Sequence, residues 1–594
     1  MGLLRVPSKR TSLLIVAGVL FLSAGYGTLR YLRDPVTYDL IIEGGRVFTG
    51  DGWAPRGTKI GIRNGRILKL GRLFGAKAKR RIDVHGQIIS PGFIDTHVHI
   101  EASMGAQRPV LAENFLRMGA TTLITGNCGT SHKHLDEVIA GISKNGGQLN
   151  LATLVGHKTL REAVMPQDPK GQPSPEQMKR MQTILDYQIR KGAFGLSTGL
   201  EYSPGLNAKI DEVATLAKVV ARWNGIYATH LRNEGVDLEP SLDEAIETSR
   251  QAQVRLHISH LKIACQRDWG RMPNILQKLD EARAELPDLT ADAYAYDRSS
   301  SGLDLLLPEE YRGYRGDRKA LTGTPELAKK LALGMQQHLR GQGFPDYSFV
   351  RVVWTQDPGL RGLNVDEFPS SASSGVVATD QLASVIPDPG LREQTRSVMG
   401  LLRRGGGQMI YRVMNEEDMA VALQDPRVMV GSDSAVRGED ALTAHPRGCG
   451  NFPRVLRLLV RERKVMSLET ALRKMSTLPA ETFRIPERGR IAPGYWADLV
   501  VLDPNTIKDT ATYEAPLERP EGISYVIVNG VPVLEGDRVY NRMPGKMLRN
   551  AFKDPGPLPA PKVTPPPQPK PEAGVKQLKG KKARQSKGKR HKSG

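Results

Sequence analysis

Short, continuous apolar runs recur along this chain, and each ends in a small or polar residue. In chain order they are IISPGFIDTHVH, TTLITGNCG, LATLVGH, AFGLSTG, IYATH, RLHISH, LTADAYAY and VMVGSD. Strands of a parallel sheet are buried on both faces and are therefore apolar throughout. Most neighbouring runs are separated by about one strand-plus-helix unit. The eight runs predict an α/β fold built on a (β/α)₈ barrel of the TIM type.

Strand-like pieces of alternating polarity flank the predicted barrel. YDLIIEGGRVFTG and KIGIRNGRILKLG precede it, and ADLVVLD and YVIVNGVPVLEG follow it. Asn-Gly and Gly-Arg pairs between polar and apolar positions are typical of antiparallel strands and their turns. We therefore predict one small β-sandwich built from segments 36–90 and 486–550, beside a barrel over 91–485.

A long segment rich in Gly, Pro and Ser separates the seventh apolar run, near Tyr296, from the eighth, near Val428. It is too long for one helix, yet it contains helix-like stretches such as 325–340. Ordered insertions of this length in compact domains are usually functional lids. We predict a lid over residues 298–425, at the mouth of the barrel.

The N-terminal segment 1–35 has the pattern of a signal anchor. An uncharged run over residues 12–29 follows a basic cluster at residues 5–10, and its length is that of a membrane-spanning helix. The positive-inside rule then places the body outside the cytoplasm, on the periplasmic side of a bacterial membrane. Cleavage at the small residues 23–25, which would give a secreted protein, is the alternative.

The formal net charge of +21 is concentrated at the ends of the chain. From Phe552 onward, twelve Lys or Arg stand against two acidic residues. We expect segment 551–594 to be disordered, because it is rich in Pro and then in Lys. It can contact anionic lipid or an anionic polymer. The charge left on the body is too small to predict a dedicated nucleic-acid surface.

Zinc-binding residue types stand at the ends of the predicted strands. His97 and His99 form a His-x-His, and the period-two alternation of a strand points both imidazoles to one face. Cys128 is one of three cysteines that match no disulfide framework, so its thiol is free for another role. Active sites of such barrels lie at the carboxyl ends of the strands. The predicted metal ligands are His97, His99, Cys128, His230, His260 and Asp433.

Metal-assisted hydrolysis is the chemistry that this set of residues predicts. A bound metal activates water, and Asp433 is placed to take its proton and to pass that proton to a leaving amine. His157 ends the third run and is expected to line the pocket as a hydrogen-bond donor. Arg437 follows Asp433 closely and suits a bidentate grip on a substrate carboxylate.

The motifs that hold these residues resemble the D-aminoacylase (N-acyl-D-amino-acid deacylase) branch of the amidohydrolase superfamily. The resemblance extends from about Tyr38 to Asp537. Its specific pieces include PGFIDTHVH, GNCG, VGHKTLREAVM, GLSTGLEYSPG, YATHLRNEG, ISHLKIA, VGSDSA, HPRGCGNFPRVL and GRIAPGYWADLVVLDP. It implies an enzyme that hydrolyses the amide bond of N-acyl-D-amino acids and releases a carboxylate and a free D-amino acid.

The resemblance also implies roles for particular residues. It implies one tightly bound zinc on Cys128, His230 and His260. It implies a second, weaker site on His97, His99 and Asp433. Substrate contacts are implied at Tyr202 and Lys262. The chain departs from its relatives at Ile100-Glu101, where Asp is common after the His-x-His, and this bears on the substrate preference.

Three other functions are compatible with the sequence. Another amidohydrolase activity would act on a cyclic amide or imide, a ureide or a small peptide containing D-amino acids. A membrane-anchored binding protein would keep the barrel without catalysis. A nucleic-acid-associated protein would bind through the Lys-rich tail, with a strong dependence on salt.

Overall fold

The computed structural model describes residues 34, 36–104, 109–314, 316–436 and 444–558. The predicted anchor over residues 12–29 and the Lys-rich part of the tail lie outside these residues. Within the described ranges, no helix has both the length and the apolar character needed to cross a bilayer. The anchor, the location and the contacts of the tail therefore stay predictions.

The strands are, in chain order, β1 (Thr37–Glu43), β2 (Arg46–Val47), β3 (Arg56–Gly57), β4 (Lys59–Arg63), β5 (Arg66–Gly71), β6 (Lys77–Asp83), β7 (Ile88–Pro91), β8 (Phe93–Asp95), β9 (Ala120–Thr125), β10 (Asn150–Thr153), β11 (Val155–Gly156), β12 (Gly195–Gly199), β13 (Ile226–His230), β14 (Arg255–Ile258), β15 (Thr290–Ala293), β16 (Ser299–Gly302), β17 (Val350–Trp354), β18 (Gln408–Tyr411), β19 (Val428–Val430), β20 (Leu499–Leu502), β21 (Ile523–Val528), β22 (Val531–Glu535) and β23 (Arg538–Val539). The α-helices are α1 (Glu113–Arg117), α2 (Leu135–Asn145), α3 (His157–Val164), α4 (Pro175–Arg190), α5 (Ile210–Arg222), α6 (Leu238–Ala252), α7 (Met272–Arg283), α8 (Arg318–Gly323), α9 (Pro325–Gly341), α10 (Pro389–Arg403), α11 (Glu416–Gln424), α12 (Arg447–Arg454), α13 (Leu468–Met475) and α14 (Thr477–Phe483). A π-helical stretch, Val455–Glu462, continues α12.

Two parallel ladders form the centre of the fold. One runs β8-β9-β10 and the other β11-β12-β13-β14-β15-β19. Only Leu154 separates β10 from β11, and a parallel bridge between Val98 and Ser434 joins the chain after β8 to the chain after β19. Every residue of β9, β12 and β13 is buried, as expected for strands covered on both faces. The carboxyl ends of all these strands consequently lie at one rim.

Local sequence signals place the helices between the strands. Helix α4 begins with a capping box, in which the Ser174 hydroxyl accepts from the Gln177 amide and the Gln177 side chain accepts from the Ser174 amide. Pro175 occupies its first turn, where no amide hydrogen is needed. A capped helix start of this kind fixes where the loop after a strand ends and where the helix begins.

Two further sheets pack beside each other, and the larger one combines strands from before and after the parallel strands. The seven-stranded sheet has the order β23-β22-β21-β20-β7-β2-β3, and β20 runs antiparallel to β7. The four-stranded sheet has the order β5-β4-β1-β6. Both sheets contribute to one apolar core, which includes Ile42, Ile60, Val501 and Ile527. The predicted disordered tail begins at residue 551, but Phe552 packs near Phe194, with ring centroids 6.3 Å apart.

An insertion between β15 and β19 forms its own small layer. Its antiparallel sheet has the order β16-β18-β17 and packs with α8, α9 and α10. The shared core includes Tyr294 and Tyr296, which directly follow β15, so the insertion is anchored at the rim. Helix α11 lies inside the predicted lid range, yet Asp418 accepts from the amides of Gly270 and Met272 at the start of α7. This helix therefore belongs with those that surround the parallel strands.

Lys474 gives the fold a predicted pH dependence. Its side chain is 1% exposed, and the ammonium donates to the carbonyls of Asp425 and Val428. Burial lowers the pKa of Lys474 from 10.5 to about 7. Between these two values the unfolded chain binds a proton that the folded chain does not, so stability rises with pH, by up to about 1.4 kcal/mol per pH unit. Below the lower value both states are protonated and the slope vanishes.

We expect Lys474→Met to remove the part of the pH dependence of stability that comes from Lys474. Urea unfolding at pH 7.5 and 9.5 should show that wild type gains about 2 kcal/mol more stability over this interval than the variant. Lys330→Met, at an exposed position of α9, serves as the control and should keep the wild-type slope. Equal slopes for wild type and Lys474→Met would contradict the prediction.

Candidate metal centre

Six side chains at the rim converge within a few ångströms of one another. The Nε2 atom of His97 lies 3.2 Å from Cys128 Sγ, and the Nε2 atom of His260 lies 3.4 Å from the same sulfur. The Nδ1 atom of His230 is 2.9 Å from His260 Nε2. On the other side, His99 Nε2 is 3.1 Å from Asp433 Oδ1. The structure thus brings together all six residues that the sequence predicts as metal ligands.

Three of these residues have a left-handed backbone conformation. The φ angles are 48° at Cys128, 36° at His260 and 49° at Asp433. A positive φ is uncommon outside glycine and is found most often at functional sites. Hydrogen bonds hold two of these turns, since Asp292 Oδ1 accepts from the His260 amide at 2.6 Å and the His97 carbonyl accepts from the Asp433 amide at 2.8 Å. The backbone therefore turns at each strand end in a way that directs the side chain toward the mouth.

The donor atoms suit a divalent metal of the zinc class. Cys128, His230 and His260 form one group of ligand atoms within 4.8 Å of one another, and His97, His260 and Asp433 form another. A soft thiolate with imidazole nitrogens favours zinc and similar ions over magnesium or calcium. Two imidazole nitrogens that face each other at 2.9 Å need a cation or a proton between them. The residues present therefore fit a metal.

Asp433 is a carboxylate held between Arg447 and His99. Its Oδ2 atom lies 3.0 Å from the guanidinium of Arg447, and its Oδ1 atom faces His99. Burial alone would raise the pKa of Asp433, but Arg447 and His99 hold that pKa well below its ordinary value. Arg447 is itself buried and stacks over Tyr294, with its guanidinium carbon 4.4 Å from the ring centroid. The carboxylate is thus ionised and fixed in orientation.

The two substrate contacts implied by the resemblance also lie at this centre. The ring of Tyr202 packs against His230, with centroids 4.5 Å apart, and its hydroxyl accepts from Ser301 at 3.3 Å. The ammonium of Lys262 is buried and lies 2.5 Å from Glu234 Oε2. Burial lowers the pKa of Lys262, but the neighbouring Glu234 carboxylate raises it above the ordinary value, so the side chain is charged.

A cleft of about 550 Å³ opens over these groups. Its walls combine five of the six candidate ligands, all except the fully buried His97, with Ser299, Ser300 and Gln408 from the insertion. An adjoining chamber of about 60 Å³ shares Glu234, Lys262, Ser299 and Leu305 with the cleft. The rest of that chamber is mainly apolar and includes Leu306, Leu339, Phe344, Tyr347, Phe349, Tyr411 and Val413. The insertion therefore gives the cleft a side chamber suited to an apolar group.

One predicted substrate contact is not brought into the site, and another lies outside the described residues. His157 is fully buried, its Nε2 atom pairs with Glu212 Oε1 at 2.8 Å, and it does not line the cleft. Its imidazole starts α3 and turns away from the mouth, because the strand has already ended at Gly156. Arg437 lies outside the described residues. Among the described residues Arg447 is the arginine at the cleft, and its motif HPRGCG was visible in the sequence.

Three buried carboxylates around the histidines were missed by the sequence interpretation. Asp292, Glu201 and Glu234 each lie against a histidine of the rim. Asp292 could have been noticed as a charge inside the apolar run LTADAYAY. The two glutamates lie in GLEYSPG and THLRNEG, but the sequence alone does not indicate that they are buried.

Comparisons with known proteins agree with this geometry. A model of the amidohydrolase family, Amidohydro_3, matches residues 80–534. The chain is 33% identical over 534 residues to an N-acyl-D-glutamate deacylase of Alcaligenes xylosoxydans xylosoxydans, covering 86% of this chain and 96% of that one. It is 32% identical over 539 residues to a D-aminoacylase of the same organism, covering 87% and 98%.

Solved structures give the same result. A crystal structure of D-aminoacylase superposes with a TM-score of 0.69 at 30% identity, over 86% of this chain and 100% of that one. The N-acyl-D-glutamate deacylase of Bordetella bronchiseptica, complexed with zinc and a phosphonate inhibitor that mimics the tetrahedral intermediate, superposes with a TM-score of 0.71 at 30% identity, over the same shares. Both have the α/β amidohydrolase fold, and this chain shares it.

Proposed function

Because the chain belongs to the amidohydrolase family, we propose that it is an N-acyl-D-amino-acid deacylase with a zinc centre. It is a metal-dependent hydrolase of carbon–nitrogen bonds other than peptide bonds. The proposal of deacylase activity rests on the convergence of six donor side chains at one rim, in a chain similar to two kinds of deacylase. We further propose that the parallel strands close into a (β/α)₈ barrel, with the two flanking sheets as a sandwich beside it.

We assign a tight zinc site to Cys128, His230 and His260, and a weaker second site to His97, His99 and Asp433. One D-aminoacylase structure is described as having a binuclear centre with one-metal activation and second-metal attenuation, which supports this division. A bound zinc supplies Lewis acidity that activates a water molecule and polarises an amide carbonyl.

The protein's own residues then have distinct tasks. Asp433 accepts the proton of the attacking water on a carboxylate oxygen and delivers it to the leaving nitrogen. Arg447 and Lys262 are buried cations at the cleft and bind the substrate carboxylate, with the Tyr202 hydroxyl as a further donor. We propose that Arg447 performs the role that the sequence hypothesis gave to Arg437.

The side chamber favours an apolar group on the substrate. Its walls are mainly aliphatic and aromatic, and its two lining cations are paired, Arg312 with Glu201 and Lys262 with Glu234. Once Lys262 binds the first carboxylate of the substrate, Arg312 is the cation that this chamber offers to a second carboxylate, and Arg312 is paired with Glu201. We therefore propose substrates with apolar side chains, such as N-acyl-D-methionine or N-acyl-D-phenylalanine, rather than N-acyl-D-glutamate or N-acyl-D-aspartate.

The experiment is a paired panel on the full chain loaded with zinc. We expect N-acetyl-D-methionine to be hydrolysed on the order of 10²-fold faster, as kcat/KM, than its L enantiomer, and faster than N-acetyl-D-glutamate. Removing the metal with a chelator should abolish turnover, and zinc should restore it. Hydrolysis of a cyclic amide such as a hydantoin, with no turnover of N-acyl-D-amino acids, would instead favour the second amidohydrolase reading.

A further inference from the structure

We infer that Glu201 and Glu234 are positioning residues that fix the tautomers of His230 and His260, the two histidines of the proposed tight metal site. The inference rests on the proposed function, because it concerns the ligands of that site. Glu201 lies nearest His230 and Glu234 lies nearest His260, each beside the ring nitrogen farther from Cys128, and Glu234 Oε2 is also 3.7 Å from His230 Nε2.

Glu201 accepts from His230. Its Oε2 atom lies 3.0 Å from His230 Nε2, and both side chains are buried. An ionised carboxylate only accepts hydrogen bonds, so the proton of a neutral His230 must sit on Nε2. The Nδ1 atom, which lies 3.7 Å from Cys128 Sγ, is then left with a free lone pair. Glu201 thus selects Nδ1 as the coordinating atom of His230.

Glu234 has the same relation to His260 with the ring reversed. Its Oε1 atom lies 2.8 Å from His260 Nδ1, and its Oε2 atom lies 2.5 Å from Lys262 Nζ. The Lys262 ammonium also lies 2.9 Å from His260 Nδ1, but it has two acceptors of its own, Glu234 Oε2 and the His260 carbonyl. Glu234 Oε1 can therefore accept the Nδ1 proton of His260, which leaves the Nε2 atom free to face Cys128 at 3.4 Å.

Each buried glutamate has a cationic partner. Lys262 serves Glu234, and Arg312 lies 3.5 Å from Glu201 Oε1. Arg312 belongs to the insertion, so the insertion contributes a charge behind the proposed metal site. A carboxylate with a paired cation can stay ionised in a buried position, which a tautomer-selecting acceptor requires.

The test compares two buried glutamate–histidine pairs in metal-loaded full-length protein. Glu201→Gln keeps an acceptor oxygen but loses the charge, and Glu201→Leu removes the acceptor. Glu212→Gln is the matched control, because Glu212 pairs with His157 at 2.8 Å, and that histidine does not line the cleft. Zinc affinity is measured by competition with a chromophoric chelator, and the cobalt(II)-loaded protein gives a visible spectrum that reports the ligand set.

We expect Glu201→Gln to weaken zinc binding about 10-fold and Glu201→Leu about 100-fold, with an altered cobalt spectrum. Glu212→Gln should leave affinity and spectrum unchanged, even if it lowers the melting temperature. Wild-type affinity in a folded Glu201→Gln variant would overturn the inference, whereas a wild-type protein that holds no zinc would overturn the proposed function. If Glu201→Leu does not fold, Glu201→Gln alone decides the question.

Discussion

Asp433→Asn is expected to lower kcat/KM for an N-acyl-D-amino acid by at least about 10³-fold, since general acid–base catalysis contributes about 10²–10⁴-fold. Asn has nearly the same shape and keeps an acceptor oxygen toward Arg447, but it cannot take a proton from water. The proposed tight site on Cys128, His230 and His260 does not include Asp433, so about one zinc per chain should remain bound.

The control for this variant is Asp509→Asn. Asp509 is a buried carboxylate that pairs with Arg454 and Arg457, outside the cleft. It tests whether loss of a buried arginine–carboxylate pair is enough to lower activity. Circular dichroism and melting temperature establish that both variants fold. Near-normal kcat/KM in Asp433→Asn would remove Asp433 from its proposed role as the proton carrier.

The insertion joins the two halves of the proposed substrate site. It supplies Ser299 and Gln408 to the cleft, and aromatic walls to the side chamber. Through Arg312 it also reaches Glu201, behind the candidate metal ligand His230. A displacement of the insertion would therefore change both substrate fit and the charge behind this histidine. This coupling gives the layer over the mouth a role beyond excluding water.

The sequence predicts the strand ends better than it predicts what surrounds them. His97, His230 and His260 were found because each directly follows or ends an apolar run, and strand ends of a parallel sheet share one rim. His157 fits the same pattern, yet it points away from the cleft, because the chain enters α3 at that residue. Position along the chain fixes which rim a residue reaches, but not the direction of its side chain.

The buried charges were beyond the reach of pattern analysis. Glu201 and Glu234 occupy polar-looking motifs, and nothing local distinguishes a buried glutamate from an exposed one. Their partners, Arg312 and Lys262, lie 111 and 28 residues away along the chain. Only the packed fold brings these charges together, which is why the acceptors behind the histidines emerge from the structure alone.

Cys128→Ala is expected to be the most damaging change to the proposed metal site. Cys128 is the only thiol among the candidate ligands, and its sulfur lies within 3.7 Å of nitrogens on His97, His230 and His260. Burial, reinforced by the charge of Asp433, raises the pKa of the Cys128 thiol well above 9.0. A metal must therefore displace the proton when it binds, and the resulting thiolate becomes a strong ligand.

Removing one ligand should weaken zinc binding on the order of 10³-fold, because a few ligands share about 10–16 kcal/mol of binding free energy in closed zinc sites. Zinc per chain after dialysis, and kcat/KM with and without added zinc, measure the effect. Cys265→Ala is the matched control, since Cys265 is buried and donates to the Gln342 carbonyl at 3.3 Å, away from the candidate ligands. Retention of both zinc and activity in Cys128→Ala would contradict the proposed tight site. The tight site would then be assigned to His97, His99 and Asp433.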